Sequence, residues 1–105
     1  MTTKKNLIPA KAAIRKITGH ISFGDMIQAM RESQEWSQVK MAEKLSISKQ
    51  DLCNIEKGRK LVSVERAVAF ARALKFPIKT FAKYALQDQL HKAGIQGEII
   101  IQDAA

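Results

Sequence analysis

Two stretches with helical apolar spacing, separated only by Leu45-Ser46-Ile47, constrain this chain more than any other feature. The first opens at Ser37, a residue suited to cap a helix, and places Met41, Ala42 and Leu45 on one side. In the second, at about 100° per residue, Leu52 and Ile55 share one face while Gln50, Cys53, Asn54 and Lys57 gather on the opposite one. Ser48 fits the N-cap with Asp51 as its capping-box partner, and Gly58 fits a left-handed C-terminal position. That predicts a helix of about nine or ten residues. So short a connection permits a tight helix-to-helix corner and little else, and Ala42 is small enough to let the two helices cross closely.

The outward face of the second helix carries chemistry as well as polarity. Asparagine and glutamine amides can pair with the N6 and N7 edge of adenine, and lysine can donate to guanine O6 and N7. Lys49, Gln50 and Asn54 therefore form a base-reading set if a duplex lies against them. Charge favours such a partner. The chain has 105 residues and a formal net charge of +8, and a basic surface gains affinity for polyanions by neutralising phosphates and releasing counterions. The excess is uneven. Residues 1–22 hold five positive charges and no acid, residues 23–60 seven against six, residues 61–94 six against two, and residues 95–105 only two acids.

This length suits one domain with tails. We divide the chain into a basic N-terminal extension (1–21), a helical domain (22–94) and a C-terminal tail (95–105). The extension holds one short predicted helix, Ala10 to Ile17, ending near Gly19. It faintly resembles a mitochondrial targeting segment, but Pro9 and Gly19 interrupt it. Ser22-Phe23-Gly24-Asp25 is a second capping-box pattern, opening a helix with Phe23, Ile27 and Met30 inward and ending before Trp36, which is expected to plug the space beneath the first two helices. After the loop containing Arg59 and Lys60, Ser63 caps a fourth helix with Ala67, Phe70, Ala71 and Leu74 inward. Pro77 suits the start of a fifth, expected to bury Ile78, Phe81, Ala82, Ala85 and Leu86, run towards Ala93 and stop at Gly94. In the tail, Glu98-Ile99-Ile100-Ile101-Gln102 is β-branched and reads as a short strand. A lone strand needs a partner for its backbone, from a second copy or another protein.

From Ser37 to Arg59 the chain reads Ser-Gln-Val-Lys-Met-Ala-Glu-Lys-Leu-Ser-Ile-Ser-Lys-Gln-Asp-Leu-Cys-Asn-Ile-Glu-Lys-Gly-Arg. With Gln38, Ala42, Ile55, Glu56 and Gly58 at these spacings, it resembles the phage Cro and repressor type of helix-turn-helix, the Xre family, over about Phe23 to Phe81. The resemblance implies an all-α, five-helix, lambda-repressor-like DNA-binding domain. To this the chain adds the short strand and the basic extension. It also implies base contacts from Ser48, Lys49, Gln50, Asp51 and Asn54, and phosphate contacts from Gln38, Lys40, Lys57, Arg59 and Lys60. Arg31 and Glu56 match a structural ion pair between the first and third helices. One departure is Ser46, where the family usually has glycine in the turn.

Such proteins generally dimerise on a palindrome, and Leu86, Leu90, Ile99, Ile100 and Ile101 are the interface candidates here. The chain looks like an antitoxin of the Hig type, which silences its own promoter and holds a toxin. It has a DNA module, no recognisable ligand-sensing domain and spare segments at both ends. A stand-alone or phage-type repressor would have the same anatomy, and a module that bridges transcription proteins without reading bases is a third reading. The basic extension suits an acidic toxin surface or DNA phosphates equally.

Other chemistry finds little support. His20 and His91 lie far apart with one cysteine, and no metal-ligand spacing, nucleophile elbow or phosphate-cradling glycine loop appears. No enzymatic activity, metal or cofactor is expected. His20 is expected to cap or solvate a loop, and His91 to favour the negative C-terminal end of its helix. Cys53 is read as a small side chain beside the groove, although oxidation there would add bulk or charge near DNA. A single cysteine rules out an internal disulfide framework, no apolar run approaches the ~20 residues of a membrane span, and a cytoplasmic location is expected.

Overall fold

The computed structural model describes residues 20–102, so the helix expected over Ala10 to Ile17 lies outside the described residues. Five helices form: α1 (Phe23–Ser33), α2 (Gln38–Leu45), α3 (Lys49–Glu56), α4 (Val64–Leu74) and α5 (Ile78–Lys92). Each of the first four begins at a serine whose hydroxyl oxygen accepts a backbone N–H three residues on: Ser22 from Asp25, Ser37 from Lys40, Ser48 from Asp51 and Ser63 from Arg66. A cap of this kind is worth about 1 kcal/mol and marks where the chain turns into helix. At Ser22 the box is reciprocal, because the Asp25 carboxylate accepts the Ser22 N–H at 3.2 Å.

The helices pack through the residues that their apolar spacing singled out. Phe23, Ile27, Met41, Leu52, Ile55 and Phe81 are fully buried, and the rings of Phe23 and Phe81 meet edge-on with centroids 5.7 Å apart. Burying each such side chain contributes about 1.5–3 kcal/mol. α4 lies along α5, α2 along α3, and α1 bridges α3 and α5. The α1–α3 crossing is close because position 24 is glycine. A Cβ there would stand 2.1 Å from the Ile55 carbonyl oxygen and 2.9 Å from that of Glu56.

Asp88 of α5 ties down the entrance to α1. Although buried, its carboxylate accepts the Phe23 N–H at 2.9 Å and lies 2.6 Å from His20 Nε2. The His20 ring also stacks on His91, with centroids 4.1 Å apart. His20 is thus an anchor between the N-terminal approach and α5, where a loop-capping or solvated residue was expected. His91 does sit in the last turn of its helix.

Four further expectations need correction. The Glu98 to Gln102 strand does not form, and no strand occurs among the described residues. The tail instead runs back along α5, where the Gln87 amide donates to the Gly97 carbonyl at 2.5 Å and accepts the Ile99 N–H at 2.9 Å. One side-chain amide thereby supplies the donor and acceptor that a neighbouring strand would have offered, and Lys83 adds an ion pair to Glu98 at 3.2 Å. On α5, Phe81 and Ala85 are buried, but Ile78 at the first turn is 37% exposed and Ala82 and Leu86 are half-buried. Trp36 is half-buried at the rim, stacked on Phe76 at 6.1 Å under the Lys44 ammonium, so it joins the α1–α2 loop to the α4–α5 corner. Finally, α3 has eight residues, one turn-fraction shorter than expected, because Lys57 already caps it.

Candidate nucleic-acid interface

The corner between α2 and α3 is made by Ser46, which adopts φ +59° and ψ +42°. A left-handed backbone costs a non-glycine residue about 1–2 kcal/mol, so serine holds this turn at some expense. The cost is offset by three backbone bonds: the Ser46 N–H reaches the carbonyls of Ala42 and Glu43, and the Ile47 N–H reaches Ala42.

The corner delivers α3 with Leu52 and Ile55 pressed into the core at 0% and 1% exposure. Ser48, Lys49 and Gln50 are exposed, and Asn54 and Cys53 are half-buried on the same outer side. Gln50 Nε2 donates to Asn54 Oδ1 at 3.2 Å. This one-turn amide pair orders both side chains while leaving the Gln50 carbonyl and the Asn54 amine with hydrogen-bonding capacity for a base edge. Lys57, Arg59 and Lys60 follow on an exposed loop turned by Gly58 at φ +77°, and Lys40 is exposed at the start of α2. Amide groups thus sit on a rigid helix with cations on either flank.

Gln38, Ser48, Asp51 and Lys60, all expected DNA contacts, also make side-chain hydrogen bonds within the protein. Gln38 is half-buried and its amide donates to Glu56 Oε1 at 3.0 Å, so one of its N–H groups serves the fold. Ser48 uses its hydroxyl oxygen as the cap of α3. Asp51 does not return the capping box, since its carboxylate turns towards α4 and accepts Lys60 Nζ at 2.7 Å and Arg66 Nη2 at 2.5 Å. The hydrogen bonds from Lys60 and then Arg66 hold the Asp51 carboxyl below the usual carboxylate range.

Arg31 and Glu56 meet as the resemblance implied, with Nε to Oε2 at 2.7 Å and Nη2 to Oε1 at 3.1 Å, both side chains largely buried. A third guanidinium N–H reaches the Trp36 carbonyl at 2.9 Å. Together with Gln38, this network joins α1, the α1–α2 loop, α2 and the end of α3, fixing the angle at which the outward face is held. Of the interface candidates, Leu86, Leu90 and Ile99 are half-buried, whereas Ile100 and Ile101 are 72% and 39% exposed. Arg66 and Asp88 were not singled out in the sequence. Their partners lie 15 and 65 residues away, and no local spacing announces them.

An eight-residue helix anchored by two aliphatic side chains, presenting amides outward after a tight turn and followed by a basic loop, defines a helix-turn-helix DNA-binding domain. The helix-turn-helix family model HTH_3 matches residues 27–81, more than half of the chain, and the protein belongs to that family, the Xre and Cro-like group. Its class of work is DNA-binding transcription regulation. Comparison with curated proteins and with solved structures gives no match. Among the described residues, no helix is long and apolar enough to cross a membrane.

Proposed function

We propose that this protein is a transcriptional repressor that binds a palindromic operator as a homodimer, works by binding without catalysis, and acts as the antitoxin of a toxin-antitoxin operon. The observation that carries the DNA-reading part is the exposed Lys49 and Gln50 pair beside Asn54 on a helix whose other face is locked by Leu52 and Ile55. In the major groove, Gln50 and Asn54 favour adenine edges and Lys49 guanine, while Lys40, Lys57, Arg59 and Lys60 position the helix on phosphates. One such helix spans only a few base pairs. Two of them, about 34 Å apart on a two-fold axis, sum their free energies on a palindrome.

The deciding experiment compares a selected palindromic duplex with random DNA at fixed salt. A repressor prefers the palindrome, whereas equal affinity for both would favour a bridging module. In the same assay Gln50→Ala should relax discrimination at one base position, costing about 1–3 kcal/mol against the preferred site. An unchanged sequence preference would remove Gln50 from the reading set.

Support for the dimer comes from α5 and the tail, where Leu86, Leu90 and Ile99 are only half-buried and Ile95 and Ile100 are largely exposed. Deletion of residues 95–105 should lower the solution mass to that of one chain and weaken operator binding. If mass and affinity both stay as they were, the tail is not the interface. The antitoxin role draws on the two segments flanking the helical core, one basic and one isoleucine-bearing, as surfaces for a second protein.

A further inference from the structure

Asp51 stands on α3 between the outward Gln50 and the core anchor Leu52, yet each of its carboxylate oxygens is taken by a cation of the same chain. The two cations differ in freedom. The Arg66 side chain, 31% exposed, lies on α4 with its guanidinium 5.1 Å above the Phe70 ring, which holds it in place. Lys60, 49% exposed, sits on the loop after α3 beside Arg59, and both are cations that the proposed function assigns to DNA phosphates. A phosphate and the Asp51 carboxylate are therefore alternative anions for one ammonium.

We propose that Asp51 is a positioning residue that reads no base: it holds Lys60 as an internal counter-ion and so restrains the protein's affinity for DNA of any sequence. The inference rests on the DNA-binding reading above. While Lys60 is paired internally, one phosphate contact is subtracted from the complex, together with the counterions that contact would release. Such a loss is independent of sequence. It weakens random and operator DNA by the same factor, and it leaves the choice among base pairs to Lys49, Gln50 and Asn54. Arg66, clamped between the carboxylate and Phe70, keeps Asp51 turned away from the groove when Lys60 leaves.

The test is a binding titration of the full chain, Asp51→Asn, Lys60→Ala and the double variant on a palindromic and a random duplex across a range of potassium chloride. Asp51→Asn keeps the backbone N–H that Ser48 caps, and Asp51→Ser serves in its place if the asparagine variant folds poorly. Removing the charge should tighten both duplexes by a common factor of about three to ten and steepen the slope of log K against log salt by about 0.9. The gain should vanish when Lys60 is also alanine. A changed preference at one base pair with the slope unaltered would make Asp51 a base reader and overturn the inference. A gain that persists in the double variant would overturn it too, as a diffuse charge effect. Wild-type protein that binds neither duplex in a salt-dependent way would instead sink the DNA reading itself, and the inference with it.

Discussion

Gly24→Ala is expected to lose about 3 kcal/mol or more of folding stability, a large part of the roughly 5–15 kcal/mol that holds a domain of this kind together. The sign is what makes the result informative. In an exposed helix interior, glycine to alanine is worth about 1 kcal/mol of stabilisation, because alanine loses less backbone entropy. At position 24 the added methyl would lie 2.1 Å from the Ile55 carbonyl oxygen and 2.9 Å from that of Glu56. Both are backbone atoms of α3, so no side chain can rotate away to make room. Either α1 moves off α3, opening the core around Phe23 and Ile27, or the last turn of α3 shifts and carries the outward face with it. Urea unfolding followed by circular dichroism would measure the loss. Gly58→Ala is the natural control, since nothing stands within 4 Å of a Cβ there and only the φ of +77° opposes it. Its cost should stay near 1–2 kcal/mol. A Gly24→Ala protein as stable as the parent would mean that the helices do not cross this closely.

Glu56→Ala should cost a further large amount, about 3–5 kcal/mol, because it strands a buried cation. Glu56 is 3% exposed and accepts from Arg31 Nε, Arg31 Nη2 and Gln38 Nε2. Without it the guanidinium keeps only the Trp36 carbonyl, in a site largely closed to water. The intact pair is a different matter, since the desolvation of both ions offsets much of their attraction. The double variant Arg31→Met with Glu56→Leu should therefore recover most of the stability lost in Glu56→Ala. A double-mutant cycle from chemical denaturation gives the coupling directly. Should Glu56→Ala cost less than about 1 kcal/mol, the pair would be an incidental contact and the orientation of α3 would have to be held by apolar packing alone.

Much of the architecture was legible before any coordinates because the determining interactions are local. A serine hydroxyl bonding the N–H three residues on is readable as a pattern, and Ser22, Ser37, Ser48 and Ser63 each open a helix. The same holds for Met41, Ala42 and Leu45, for Leu52 and Ile55, and for Ala67, Phe70, Ala71 and Leu74, whose spacing defines a buried side. At helix ends the pattern weakens. Ile78 belongs by spacing to the inward face of α5, but it is the first residue of that helix and stays exposed. The Arg31 and Glu56 pair, 25 residues apart, was legible only through a family resemblance.

The tail marks where such reading stops. Its isoleucines carry the β-branching of a strand, but a strand exists only where another backbone offers donors and acceptors in register. What the fold places beside Gly97 and Ile99 is the Gln87 amide, and the segment settles on α5 without strand geometry. Asp51 is a similar case: as third residue of its helix it suits a capping box, yet Lys60 and Arg66 arrive with two positive charges and the carboxylate turns to them.

By itself, then, the sequence determined five amphipathic segments, their caps, the tight corner at Ser46 and the amide-bearing outer side of α3, all set by contacts within a few residues of one another. Only the tertiary structure decided that Gly24 lets two backbones touch, that Asp88 holds the start of α1, and that Asp51 faces Lys60 and Arg66. Those are pairings between distant parts of the chain, and a side chain's partner is chosen by whichever group the packed helices bring within hydrogen-bond reach.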